Sequence, residues 1–134
     1  MLASGEADDA VLLGQLLGGT PWSVLPAASA DAALSMLRNL AIPIVLFARD
    51  LDGQPWQETL RRFLKTRRRA CVIVLAGSCG PNAEEVLHRG GFDVLTRPLD
   101  KDDLFTALLC AYSQARMHWL SFTRVHATPA GAIS

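Results

Sequence analysis

The stretch Ile44–Gly53, IVLFARDLDG, decides how the rest of the chain is read. Pro43 restricts Ile42 to extended geometry and introduces the run. Four apolar residues follow without interruption, Ile44, Val45, Leu46 and Phe47, so neither face of an extended segment is polar. That is the pattern of a strand in a parallel sheet with helices on both sides. The run stops at Ala48 and turns through Arg49, Asp50, Leu51, Asp52 and Gly53, where Asp and Gly supply turn chemistry.

Outward from this strand the same alternation repeats. Cys71-Val72-Ile73-Val74-Leu75 is a second strand that is apolar on both faces, and Phe92 to Leu95 is a third. Toward the N-terminus, Trp22 to Leu25 reads as a strand fenced by Pro21 and Pro26, and Leu2 and Ala3 as a very short first one. Helices fill the intervals. Asp8 to Gly18 carries Val11, Leu12, Leu16 and Leu17 at helical spacing. Ser29 is a good N-cap before Ala33, Leu34, Leu37 and Leu40. Pro55 suits the first turn of a helix bearing Trp56, Leu60, Phe63 and Leu64. Asn82 caps a short helix ending at Gly90 and Gly91, and Asp100 caps a last helix reaching about Trp119. The sequence is therefore βα five times over, an α/β chain with one domain over residues 1–119 and an aperiodic, frayed tail over 120–134. Sites in such folds lie beyond the carboxyl ends of the strands.

With 134 residues, 50% of them hydrophobic and 19% charged, the chain is neither disordered nor fibrous. Thirteen basic and thirteen acidic residues cancel, so no global field draws it to nucleic acid or to an anionic membrane. Cys71, Cys79 and Cys110 have no metal-ligand spacing, which suits a reducing compartment. MLASGEADD lacks the basic start and apolar core of a signal peptide, and no apolar run is long enough to span a bilayer. A soluble, cytoplasmic protein is expected.

The order of elements, together with GGFDVLTRPLDKDDL at 90–104, resembles the receiver domains of bacterial two-component response regulators. There a small-residue pair, a strand, a Lys-Pro and an acidic helix start follow in this register. The resemblance covers about residues 1–116 and implies a flavodoxin-like three-layer sandwich with parallel strand order 2-1-3-4-5. It also implies where the phosphorylation site would lie. The acidic pair that holds Mg²⁺ falls on Ser4 and Gly5, with Glu6 next, and the phosphoacceptor on Ala48. The hydroxyl after the fourth strand falls on Ala76, the lysine on Arg97, and the aromatic that reports the switch on Val94. Only Arg97 keeps the expected charge.

Mg²⁺ needs oxygen ligands, usually one or two carboxylates beside phosphate and water. Ser4 and Ala48 cannot supply that charge, Ala48 has no nucleophile, and Ala76 has no hydroxyl. Asp50, two residues past Ala48, shares its facing on an extended chain but lies about 6–7 Å further out. It is the one alternative phosphoacceptor. Otherwise Asp50 and Asp52 are turn residues, with Arg97 expected to pair with one of them.

Three further features compete with this reading. AGSCG at 76–80 has the small-x-Ser-x-Gly form of a nucleophile elbow, with Ser78 as nucleophile and Asp93 or Asp100 and then His118 in triad order. About seventeen helical residues carry His118 some 25 Å away from the carboxyl edge, too far from Ser78. Cys79 precedes a helix, where a thiol is activated, but as an inert loop residue it needs no such role. Arg61, Arg62, Lys65, Arg67, Arg68 and Arg69 form a basic cluster without interleaved aromatics, better read as cations at a helix C-terminus than as a nucleic-acid surface.

The last helix has Leu104, Leu108, Ala111 and Ala115 for the sheet, and a second apolar margin of Phe105, Leu109 and Tyr112, continued by Met117, Trp119 and Phe122. One stripe suffices for a helix packed on one side. The resemblance implies partner binding on the face built from the fourth helix, fifth strand and fifth helix. The expectation is a non-enzymatic, cofactor-free module that has lost phosphotransfer and metal binding. It would bind a protein partner, or a second copy, through Val94, Phe105, Leu109 and Tyr112.

Overall fold

The computed structural model describes residues 1–66, 70–77 and 80–126, with side chains omitted for Ala7 and for 116–126. Five βα units follow one another. They are β1 Leu2–Ala3 with α1 Ala7–Leu16, β2 Pro26–Ala27 with α2 Ala30–Asn39, and β3 Ile44–Ala48 with α3 Trp56–Leu64 after a 3-10 turn Leu51–Gly53. Then come β4 Cys71–Ala76 with α4 Ala83–His88, and β5 Asp93–Thr96 with α5 Lys101–His126. The strands form one parallel sheet in the order β2-β1-β3-β4-β5, the flavodoxin-like arrangement expected.

Strand alternation divides the apolar runs between two layers. Val45, Phe47, Val72 and Val74 point to a core shared with α2, α3 and α4, including Leu34, Leu37, Trp56, Leu60, Phe63 and Val86. Ile44, Leu46, Ile73 and Leu75 point the other way, to Leu13 of α1, Leu17 at its C-cap, and Leu104, Leu108 and Ala111 of α5. This is why β3 and β4 read as apolar throughout: each residue has a helix layer to face.

The caps follow the local sequence. Ser29 accepts from the Ala32 amide at 3.1 Å, Asn82 from the Glu85 amide at 2.9 Å, and Asp100 from the Asp103 amide at 3.1 Å. Gly91 is fixed by a close approach, since a Cβ there would run into Val86 Cγ1.

Three local expectations need correction. The second strand is Pro26–Ala27 and not Trp22–Leu25. β1 offers only two residues to pair with, and β2 is an edge strand, where the missing proline N–H costs no ladder bond. α1 buries Asp9 and Leu13, with Leu17 at its C-cap, while Val11 and Leu12 are exposed. α5 continues beyond Trp119 to His126 because no Gly or Pro interrupts it before Pro129.

Candidate functional site

The carboxyl ends of the strands step across the sheet in register. Ala3 lies beside Phe47, Ala48 beside Leu75, and Ala76 beside Thr96. Ser4, Ala48, Ala76 and Arg97 therefore share one edge, and the backbone continues the ladder there. The Ser4 amide donates to Ala27 O at 3.0 Å, Arg49 to Leu75 O at 2.9 Å, and Arg97 to Ala76 O at 2.9 Å. Gly5 and Glu6 leave this edge exposed to solvent, and Glu6 becomes the N-cap residue of α1.

The charge at the edge is carried by a residue the sequence reading did not single out. Asp9, in the first turn of α1, is only 4% exposed and takes both ends of the Arg97 guanidinium. Arg97 Nη1 donates to Asp9 Oδ1, and Nη2 to Oδ2 at 2.7 Å. Ser4 Oγ donates to the same Oδ2 at 2.6 Å and in turn accepts from the Glu6 amide at 3.1 Å. Two parallel charge-assisted bonds of this kind fix orientation as well as charge. The bonds from Arg97 hold the Asp9 carboxyl below its ordinary range, against desolvation that raises it, with the Ser4 hydroxyl adding to the lowering. Arg97 is correspondingly raised, first by the bonds to Asp9, with desolvation opposing and Glu6 and Asp50 contributing through space.

Arg97 therefore pairs with neither Asp50 nor Asp52, contrary to expectation. Asp52 is occupied elsewhere: its carboxylate accepts from the Ala30 amide at 2.9 Å, joining the β3–α3 turn to the start of α2. It does so from a left-handed conformation, φ 59°, which Asp tolerates better than most residues. Asp50 points outward, its side chain 85% exposed, with Arg49 Nε 3.4 Å away. Arg49 also donates to Gly80 O at 3.0 Å, tying the β3–α3 turn to the loop after β4. Leu51, buried between these turn residues, anchors the segment to the core.

A sequence signal for Asp9 existed. Asp9, Leu13 and Leu17 recur at four-residue spacing, so a carboxylate stands on the apolar stripe of α1. A buried carboxylate needs a partner. Val11 and Leu12 obscure the stripe in the sequence, since they are apolar yet lie on the exposed side of α1.

Among the described residues no group of three His, Cys, Asp or Glu side chains is placed to hold a metal ion. Glu6, Asp50 and Asp52 do not form such a group. Ser78, Cys79 and Arg67 to Arg69 lie outside the described residues, as do the side chains of Met117, His118, Trp119 and Phe122. Asp93 and Asp100 are engaged locally, Asp93 with the Val94 amide at 2.7 Å and Asp100 as the cap of α5. Two cations of the basic cluster are paired, Arg61 with Glu58 and Arg62 with Asp31.

The residues expected at the partner surface divide between layers. Val94 packs on the α2–α3–α4 side of the sheet. Phe105, beneath the Lys101 ammonium, packs on the α1–α5 side. Leu109 is 59% and Tyr112 43% exposed. Tyr112 meets Trp22 edge to face, with centroids 5.5 Å apart, so this margin of α5 turns toward the α1–β2 connection.

Solved structures share this fold. The signal receiver domain of an HD domain-containing protein from Pseudomonas fluorescens Pf-5 is 21% identical, with a TM-score of 0.74 over 87% of this chain and 88% of that one. The fold is that of receiver domains. A response regulator receiver domain protein from Clostridium thermocellum is 24% identical, with a TM-score of 0.73 over 87% and 94%. A CheY-like response regulator receiver domain protein from Methanospirillum hungatei JF-1 is 19% identical, with a TM-score of 0.74 over 87% and 95%. In sequence, the chain matches no family model and no curated protein. Among the described residues of this receiver fold, no helix is long and apolar enough to cross a membrane.

Proposed function

We propose that this chain is a receiver-like signalling domain that has given up phosphotransfer and acts as a phosphorylation-independent protein-binding module, not as an enzyme. One observation carries the reading. At the edge where a receiver would gather carboxylates around a divalent cation, the strand ends are Ser4, Ala48 and Ala76, and the buried carboxylate nearby is already neutralised by Arg97. Mg²⁺ would have to displace a bidentate guanidinium from Asp9 to use the buried carboxylate beside these strand ends.

Titration with Mg²⁺ and beryllofluoride, followed by amide chemical shifts, tests this. No saturable change is expected at Ala48, Asp50 or Arg97. Saturable binding that Asp50→Asn abolishes would establish Asp50 as a displaced phosphoacceptor and end this reading.

The binding surface we assign is the exposed margin of α5 around Leu109 and Tyr112, for a protein partner or a second copy of the chain. Concentration-dependent sedimentation lost in Leu109→Asp supports the second copy; a monomer at all concentrations leaves a protein partner as the occupant.

A further inference from the structure

We infer that Ser4, Asp9 and Arg97 form a built-in latch that holds the β5–α5 turn against the first turn of α1 in one arrangement without any ligand. The three residues come from the ends of β1, α1 and β5, so no single element positions the group. Arg97 sits immediately after β5 and just before α5, where its backbone amide is bonded to Ala76 O and its side chain to Asp9. α1 and α5 occupy the same layer of the sandwich, and the linkage ties their N-terminal ends together. The fork of Arg97 admits one orientation, and the Ser4 hydroxyl adds a third bond to the carboxylate, at the oxygen that also accepts from Nη2. Asp9 is too deeply buried to leave Arg97 without stranding an unpaired charge, so the open arrangement is disfavoured. Arg97 and Asp9 act here as positioning residues.

This concerns regulation of the site discussed above, but it is measured on ligand-free protein and stands apart from the metal and phosphoryl analogue experiment. Native-state amide exchange and the amide spectrum over Thr96 to Leu104 are compared in wild type, Asp9→Asn, Arg97→Lys and Asp50→Asn. The latch predicts one set of resonances in wild type. Exchange at Arg97 should rise at least tenfold more than at Val45 and Val74 in Asp9→Asn, with a second set of resonances at the start of α5. Arg97→Lys keeps the charge but not the fork, so it should give an intermediate rise. Asp50→Asn should change neither quantity. The inference fails if exchange at Arg97 in Asp9→Asn rises only in step with the central strands, or if wild type already shows two arrangements of the turn. A response to Mg²⁺ and beryllofluoride in wild type would overturn the proposed function while leaving this result to be judged alone.

Discussion

Two Asp–Arg pairs stand near the same edge of the sheet and differ in almost everything but composition. Asp9 and Arg97 are far apart in the chain, meet through two bonds, and keep the carboxylate away from water. Asp50 and Arg49 are neighbours in sequence, meet at 3.4 Å, and leave the carboxylate in solvent. Burial separates them. An exposed pair gains little against screening and side-chain entropy. A pair whose carboxylate is buried is, once made, expensive to break, because removing its partner strands the charge. The conspicuous acidic turn after β3 is therefore the weaker electrostatic feature, and the inconspicuous aspartate in α1 the stronger.

The comparison is tested most severely by Arg97→Ala. Stranding the Asp9 carboxylate should cost about 3 kcal/mol in urea unfolding at neutral pH. A loss as small as that of an ordinary surface substitution would erase the distinction between the pairs. Asp9→Asn keeps the shape and an acceptor for Ser4 and should cost about 1.5 kcal/mol at neutral pH.

The pH dependence sharpens the same contrast. The Asp9 carboxyl is lowered in the folded protein from an ordinary value of 3.8, chiefly by its bonds from Arg97. Its contribution to stability is therefore complete above that value and is lost as pH falls through the folded one. Wild type should lose its advantage over Asp9→Asn only below about pH 4, the ordinary carboxyl range. A convergence of the two unfolding curves between pH 5 and 7 would contradict this. Arg97, already charged across the accessible range, adds no window of its own.

Asp52→Ala removes the acceptor for the Ala30 amide and should cost about 1 kcal/mol, with Asp52→Asn milder because it keeps both an acceptor and tolerance of the left-handed backbone. Asp50→Ala should change stability by less than about 0.5 kcal/mol. Chemical denaturation of both variants places these effects on one scale.

The fold was legible because its signals are redundant. The unbroken apolar runs of β3 and β4 demand helices on both faces, and Ser29, Asn82 and Asp100 mark helix starts by an interaction confined to one turn. β2 was misplaced because its two residues carry no periodicity, and only pairing with an equally short β1 defines it. The site was half legible. Ala48 and Ala76 stand at strand ends where register alone puts them. The partner of Arg97 was not legible from proximity along the chain, because Asp50 and Asp52 are nearer candidates in sequence than Asp9. Only the recognition that Asp9 interrupts an apolar stripe would have found it.

The bonds between Arg97 and Asp9 span 88 positions of the chain. Closing so long a segment gains nothing until the intervening sheet is assembled, so this contact belongs among the last to form as the protein folds. Weakening it should therefore leave the refolding rate nearly untouched and show instead as faster unfolding, making the pair a determinant of how long the native state survives.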